Sequence, residues 1–226
     1  MILVATGLKR ELNILEGAGV LVVAGGGDSV RLARELEEAA GDAEAVISMG
    51  LCGALADGLK PGDWVVASEV FTSGQTFETD PKWSQTLVGA LRAQSGLMLG
   101  SDTMIADAAA KRAARAATGA VTVDMESHIA AAVAARHNLP FAAARVVSDA
   151  ADRSLPKAAQ AGMAADGRMD LGAVLKALAA DPRQLPALIG VGFEAEVAFR
   201  ELSRGRHFLG PGLGRSYFGE LPLDMP

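Results

Sequence analysis

Cysteine is nearly absent: Cys52 is the only one in 226 residues. That excludes an intramolecular disulfide and a cysteine-built zinc cluster, and it fits a reducing compartment, so a cytoplasmic location is expected. Basic residues form no block, and 21 Lys and Arg stand against 27 Asp and Glu for a formal net charge of −6. A nucleic-acid groove is therefore disfavoured on electrostatic grounds, and a small-molecule partner is favoured. No run reaches the ~18 uncharged apolar residues that a membrane span requires, which leaves transient surface contact as the one membrane association open to the chain. The start, Met1 to Thr6, is apolar but lacks a basic flank and is soon followed by Lys9, Arg10 and Glu11. It reads as a first buried strand, not a signal peptide. Internal repeats and low-complexity segments are also missing.

What is present is apolar surface at strand and helix periods. Half of the residues are hydrophobic and 21% are charged, which suits one core and one domain. Short apolar or β-branched runs at 1–6, 20–24, 45–49, 64–70, 121–123 and 141–147 read as strands. Between and after them, 29–40, 81–94, 107–117, 127–136, 171–180 and 185–204 read as helices, the last softened by Gly190 and Gly192. Strands alternating with helices predict a single α/β domain with a central, mixed but mostly parallel sheet flanked by helices. It spans residues 1–204 and is followed by a Gly/Pro-rich tail at 205–226. The segment 155–168 reads as loop, and 50–56 as a small-residue loop after a buried strand.

Two stretches carry the chemistry, Val121-Thr122-Val123-Asp124-Met125-Glu126-Ser127-His128 and Arg145-Val146-Val147-Ser148-Asp149. Each ends a strand in a carboxylate, and a right-handed strand–helix–strand crossover would bring both ends to one sheet edge, where such folds bind ligands. Spacing alone leaves a bland reading open, with Glu126 a helix N-terminal charge and Asp149 a loop cap. Gly25-Gly26-Gly27 before a helix is either a tight turn or an anion site, and Arg31 can serve that site only by bending back across its own helix. Lys111, Arg112 and Arg115 read as a solvated helix face. His128 is either a proton carrier or a helix-face histidine. Cys52 reads as a packed thiol.

These blocks resemble the purine nucleoside phosphorylase and methylthioadenosine nucleosidase superfamily. The resemblance implies that Met125 lies under the sugar face, that Glu126 binds the ribose hydroxyls, and that Asp149, oriented by Ser148, protonates the departing purine. It also implies that Glu11 activates or orients the nucleophile, that Gly25, Gly26, Gly27 and Gly50 sit near the nucleophile and ribose, and that Met104 and Ile105 pack on the base, although Met104 fits core filling equally well. Ser48 and Leu51 depart from the arginine and serine that hold phosphate in one phosphorylase type.

The segment 204–212 resembles the C-terminal end of the hopanoid-associated phosphorylases. That resemblance implies adenosylhopane as substrate, with adenine released by phosphorolysis and inorganic phosphate as co-substrate. The tail would line a channel for a large hydrophobic 5′ group, with Phe71, Phe77 and Trp83 on the rim, or it would wrap its own domain or a partner subunit. The alternatives are a hydrolytic methylthioadenosine/S-adenosylhomocysteine-type nucleosidase and a nucleoside-binding protein without chemistry. No metal or other cofactor is expected, and a homo-oligomer, most simply a dimer, is.

Overall fold

In a computed structural model of the chain, residues 1–161 and 171–215 are described. The chain begins with two strand–helix–strand units: β1 (Ile2–Thr6), α1 (Lys9–Leu15), β2 (Val20–Ala24), α2 (Ser29–Ala40) and β3 (Ala45–Ala54), with β2 and β3 parallel to β1 on its two sides. A hairpin of β4 (Trp64–Thr72) and β5 (Gln75–Glu78) follows. Its two-residue turn, Ser73-Gly74, takes positive φ at both positions, which matches the twist of the strands it joins. Then come α3 (Pro81–Leu91), β6 (Gln94–Gly100), α4 (Ala108–Thr118), β7 (Thr122–Asp124), α5 (Ser127–Arg136) and β8 (Phe141–Asp149). The short α6 (Lys157–Ala161), α7 (Leu171–Ala180) and the long α8 (Leu185–Leu209) complete the described chain.

Helix starts obey local chemistry. Asp28, Asp80 and Asp107 each accept a bond from a first-turn N–H of α2, α3 and α4, satisfying donors that the helix leaves open. Burial along the strands has period two: Leu3, Ala5, Ala143 and Val147 pack in one cluster with α5, while Ile2, Val4, Ala142, Ala144 and Val146 pack in the other with α3 and α8. Both faces of the sheet are thus covered, as parallel pairing demands.

The sheet is mixed and mostly parallel, but it also closes on itself. β3 bonds to β1, β8 and β7, and β4 bonds to β5, β6 and β8, so β3, β7, β6, β4 and β8 form a ring. The ten-residue β3 makes this possible, because its first half lies beside β1 and its last residues beside β7, with a register shift at Cys52 and Gly53 on the β8 side.

Several sequence expectations are corrected here. β7 and β8 are not a parallel pair joined by a crossover: β7 runs antiparallel to β3 and β8 parallel to it, and the two meet through Gly53, which pairs with Val123 on one side and Asp149 on the other. Residues 50–54 belong to β3 and are not a loop. Gly190 and Gly192 do not break α8, and the helix runs five residues past 204 to Leu209, because Ala198, Phe199, Leu202, Gly205 and Leu209 are buried along it. Packing of that kind outweighs the ~1 kcal/mol by which each helical glycine disfavours the helix. Gly205 abuts the Trp64 ring so closely that any side chain would collide with it. The first part of the tail is therefore a clasp on the domain: Leu213 is buried, its carbonyl accepts the Trp83 indole N–H at 2.9 Å, and Arg206 bonds to Leu15 O and Gly210 O. Trp83 is a core residue, not part of a rim, and Phe77 packs against the main core. Residues 216–226, and 162–168 of the expected loop, lie outside the described residues; Lys157–Ala161, within that loop, is helical.

Candidate active site

The site is built where β1, β3, β7 and β8 end. Asp124, the last residue of β7, accepts bonds from the N–H groups of Glu126 (2.8 Å) and Ser127 (2.6 Å) and from Ser127 Oγ (2.7 Å). This caps α5 and fixes the turn that carries Met125 and Glu126. Glu11, in the first turn of α1, folds back over the end of β1. Its Oε2 accepts from Thr6 Oγ1 (2.7 Å), Gly7 N (2.8 Å) and Leu8 N (2.6 Å), and its Oε1 from Leu51 N (2.7 Å). Between these acids lies Arg145, wholly buried on β8. Its Nη1 is 3.1 Å from Glu126 Oε2 and donates to Leu51 O at 3.2 Å, while its Nη2 is 3.5 Å from Asp124 Oδ1 and donates to Ser48 Oγ.

Two glycines make room for this cluster. A Cβ on Gly7 would stand 2.8 Å from Glu126 Oε1, and one on Gly50 would stand 2.8 Å from both Glu11 Oε1 and Arg145 Nη1 and 2.9 Å from Thr6 Oγ1. Only hydrogen fits where charged groups press on the backbone this closely. Sequence-predicted Glu11, Gly50 and Glu126 are thus brought together.

Burial pushes the Glu126 carboxyl up to about 7; Arg145 opposes the shift, and Asp124 and Glu11 add to it. For Arg145, burial works against the charge, but Asp124, Glu126 and Glu11 more than offset it and hold the guanidinium above its ordinary value. Cys52 is buried, and its thiol is raised well above the usual range by desolvation, so it is a packed, unreactive group as expected. A stability prediction follows for Glu126. The folded state holds this proton more tightly than the unfolded chain, so the contribution of Glu126 to folding is fully present below about pH 4.5 and is lost as pH rises through about 7. Glu126→Gln, which cannot ionise, is expected to melt higher than wild type at about pH 8 and level with it near pH 4.5, as thermal melts at both values would reveal.

Asp149 ends β8 on the far side of Gly53. Ser148 Oγ donates to its Oδ1 at 2.7 Å, and Gly53 leaves space for it, since a Cβ there would lie 3.2 Å from Oδ2. Its ionic partner is Lys111, which corrects the solvated-face expectation: Lys111 is wholly buried on α4, with Nζ bonded to Asp149 Oδ2, to Ala150 O at 2.8 Å and to Arg153 O at 3.0 Å. Alanines surround it in sequence, so no apolar periodicity marks the inward face of α4. Asp124 also escaped the sequence reading, although an Asp between a strand and a helix is a legible cap signal.

Two hollows flank these groups. A narrow crevice is lined by Gly25, Gly27, Asp28, Ser29, Leu32, Asp102, Met125 and Glu126, so the glycine turn does face the Met-Glu pair. An open cleft of about 470 Å³ holds Met104 and Ile105 with Asp107, Ala110, Ser154 and Leu155. The loop that carries Asp102 and Met104 separates the two hollows, and His128 Nε2 lies 3.2 Å from Asp102 Oδ1. Arg31 does bend back, donating to Ala24 O (3.1 Å) and Gly25 O (2.7 Å). Gly25 N and Gly26 N bond to Thr6 O and Gly7 O. Among the described residues, no group of three His, Cys, Asp or Glu side chains is arranged to hold a metal, and no helix is long and apolar enough to cross a membrane.

This architecture is shared with solved structures. A futalosine hydrolase mutant of Helicobacter pylori strain 26695 is 16% identical over 80% of this chain and 98% of its own, with a TM-score of 0.62. A 5′-methylthioadenosine/S-adenosylhomocysteine nucleosidase from Colwellia psychrerythraea 34H, in complex with adenine, is 18% identical over 93% of this chain and 94% of its own, with a TM-score of 0.64. An S-adenosylhomocysteine nucleosidase from Streptococcus pyogenes is 19% identical over 88% and 95%, with a TM-score of 0.57. No curated protein matches the chain. The family model described as the phosphorylase superfamily matches residues 7–180, and the chain belongs to that superfamily.

Proposed function

We propose that this protein cleaves the N-glycosidic bond of an adenine nucleoside and that water is the nucleophile. The observation that carries the choice of water is how fully the cations and amides near the crevice are engaged. Arg145 is bound by Glu126, Asp124 and Ser48, and Arg31 by two carbonyls and Glu35. The first two glycine N–H groups bond to the carbonyls of Thr6 and Gly7, and carboxylates of Asp28, Asp102 and Glu126 line the crevice. A phosphate dianion there would meet three acids and no unengaged guanidinium among those named, a costly arrangement for a buried anion. Neutral water meets no such penalty. The solved relatives named above as nucleosidases and a hydrolase support the same reading.

In this reading Met125 lies against the sugar, Glu126 accepts from its hydroxyls, and Met104 and Ile105 pack on the base. As the C1′–N9 bond breaks, the ring carbon becomes cationic and the purine takes the electron pair. Asp149, steered by Ser148, delivers a proton to the purine, and Glu11 takes one from the attacking water. Glu126→Gln should weaken preference for ribosides over 2′-deoxyribosides by on the order of 1–3 kcal/mol, through loss of a charged acceptor.

A second reading, phosphorolysis of adenosylhopane, is favoured by one feature, the resemblance of residues 204–212 to the hopanoid-associated phosphorylases. One experiment decides between them: incubate desalted protein with adenosine, methylthioadenosine and long-chain 5′-alkyl adenosines across a phosphate titration, and identify the sugar by mass. Adenine release independent of phosphate, with a free reducing sugar, is expected. Saturable phosphate dependence with a sugar 1-phosphate, strongest for the long-chain substrate, would overturn hydrolysis in favour of the second reading.

A further inference from the structure

We propose that Lys111 is the source of the proton that leaves with the purine, passed on through Asp149. The inference rests on the reading of Asp149 as the group facing the departing base, and adds where its proton comes from. Lys111 is the buried residue of α4, and its ammonium carries three hydrogens for three acceptors: Asp149 Oδ2, Ala150 O and Arg153 O. In such an ion pair the transferable proton sits on nitrogen, and the carboxylate has none of its own to give. Holding the two carbonyls would need only a neutral donor. An amine adds a proton that can be released, which a guanidinium does not.

The other side of Asp149 is arranged for a change of protonation. Ser148 Oγ lies 2.7 Å from Asp149 Oδ1 and 3.1 Å from Cys52 O, and its single hydrogen can serve only one of them at a time. Toward the carboxylate it donates to Oδ1; once Lys111 has placed a proton on Oδ2, Oδ1 is a carbonyl oxygen that still accepts from the same hydroxyl, and Cys52 O stands as its alternative partner. Both states are satisfied without moving a backbone atom.

The step balances. The C1′–N9 electron pair passes into the purine, an Nζ–H bond of Lys111 breaks and leaves its pair on the amine, and that proton passes to Asp149 and from it to a purine nitrogen, so that Asp149 ends as the carboxylate it was. Water adds to C1′ and loses its proton to Glu11, and solvent exchange returns one proton from Glu11 to Lys111. The sum is nucleoside plus water giving sugar plus purine.

The test compares two leaving groups in wild type, Lys111→Arg and Lys111→Met, with folding checked by circular dichroism. Adenosine needs a proton on its leaving base, whereas 4-nitrophenyl β-ribofuranoside expels a stable phenolate that needs none. The rate ratio of adenosine to nitrophenyl riboside is expected to fall on the order of 10²–10⁴-fold in Lys111→Arg, which keeps the charge but withholds the proton. In Lys111→Met, which removes the proton and the charge together, the same ratio is expected to fall at least as far. A Lys111→Arg ratio within a few fold of wild type would overturn the proposal and leave Lys111 a charge that positions Asp149. Equal losses on both substrates in the two variants would overturn it likewise. Wild-type turnover of the nitrophenyl riboside without purine release from any nucleoside would instead overturn the assignment of the substrate, and wild-type inertness toward both would overturn the enzymatic reading together with this one.

Discussion

Asp149→Asn is expected to lower turnover of an adenine nucleoside by on the order of 10²–10⁴-fold while leaving ligand affinity within a few fold. The amide has the shape of the carboxyl, so its one oxygen can stay with Lys111 while its NH2 donates to Ser148 Oγ, whose own hydrogen turns to Cys52 O, and the pocket is not opened. What disappears, on the proposed reading, is the group that carries a proton to the leaving purine. A second consequence comes from the ion pair. With a neutral amide opposite it, the buried Lys111 ammonium loses its counter-charge, and breaking one partner of a buried pair is costly, on the order of 3–5 kcal/mol. Asp149→Asn should therefore melt lower than wild type. Steady-state kinetics with adenine release as readout, beside thermal melts, separate the two effects. Wild-type turnover in a folded variant would remove Asp149 from the chemistry.

The two acidic blocks were legible because each combines a signal of period with a signal of chemistry: a β-branched run, then a carboxylate, then a small-residue helix or a polar loop. Their meeting was anticipated, but for the wrong reason. A parallel crossover was expected, whereas β3 stands between the strands and Gly53 touches both, an arrangement that depends on which strands close the ring and that no local pattern encodes. Lys111 shows a second limit. In an alanine-rich helix every face looks alike, so the one lysine turned inward is indistinguishable from Arg112 and Arg115 beside it until Asp149 is placed across from it. In the sequence Arg145 is one basic residue inside an apolar strand. Its three acidic neighbours come from three separate segments, and the charge balance that occupies it is visible only in the fold. The tail is a third case: its glycines and prolines leave a channel lining and a wrap around the domain equally open, and its first part wraps the domain, with Gly205 small because Trp64 lies against it and Leu209 and Leu213 core residues.

Arg145→Leu is expected to be the most damaging single change to the folded state. The guanidinium is fully buried within reach of Glu126, Asp124 and Ser48, and the charge of Glu11 also acts on it, so its loss leaves buried acids facing one another with no cation between them. Loss of one partner from a buried charge network costs on the order of 3–5 kcal/mol, a large part of the roughly 5–15 kcal/mol that holds a domain folded. The pH dependence fixes the cause. In wild type the guanidinium is the chief influence restraining the upward shift of Glu126; without it Glu126 holds its proton still more tightly in the folded state, and the stability lost as pH rises through its folded pKa becomes larger. The melting gap between variant and wild type should accordingly widen from about pH 5 to about pH 8.5. Arg145→Lys, which restores a point charge but not the fork that reaches Ser48 and Leu51 together, should recover part of the stability and less of the activity. A gap that stayed constant with pH would assign the loss to packing of the long side chain and not to the acids around it.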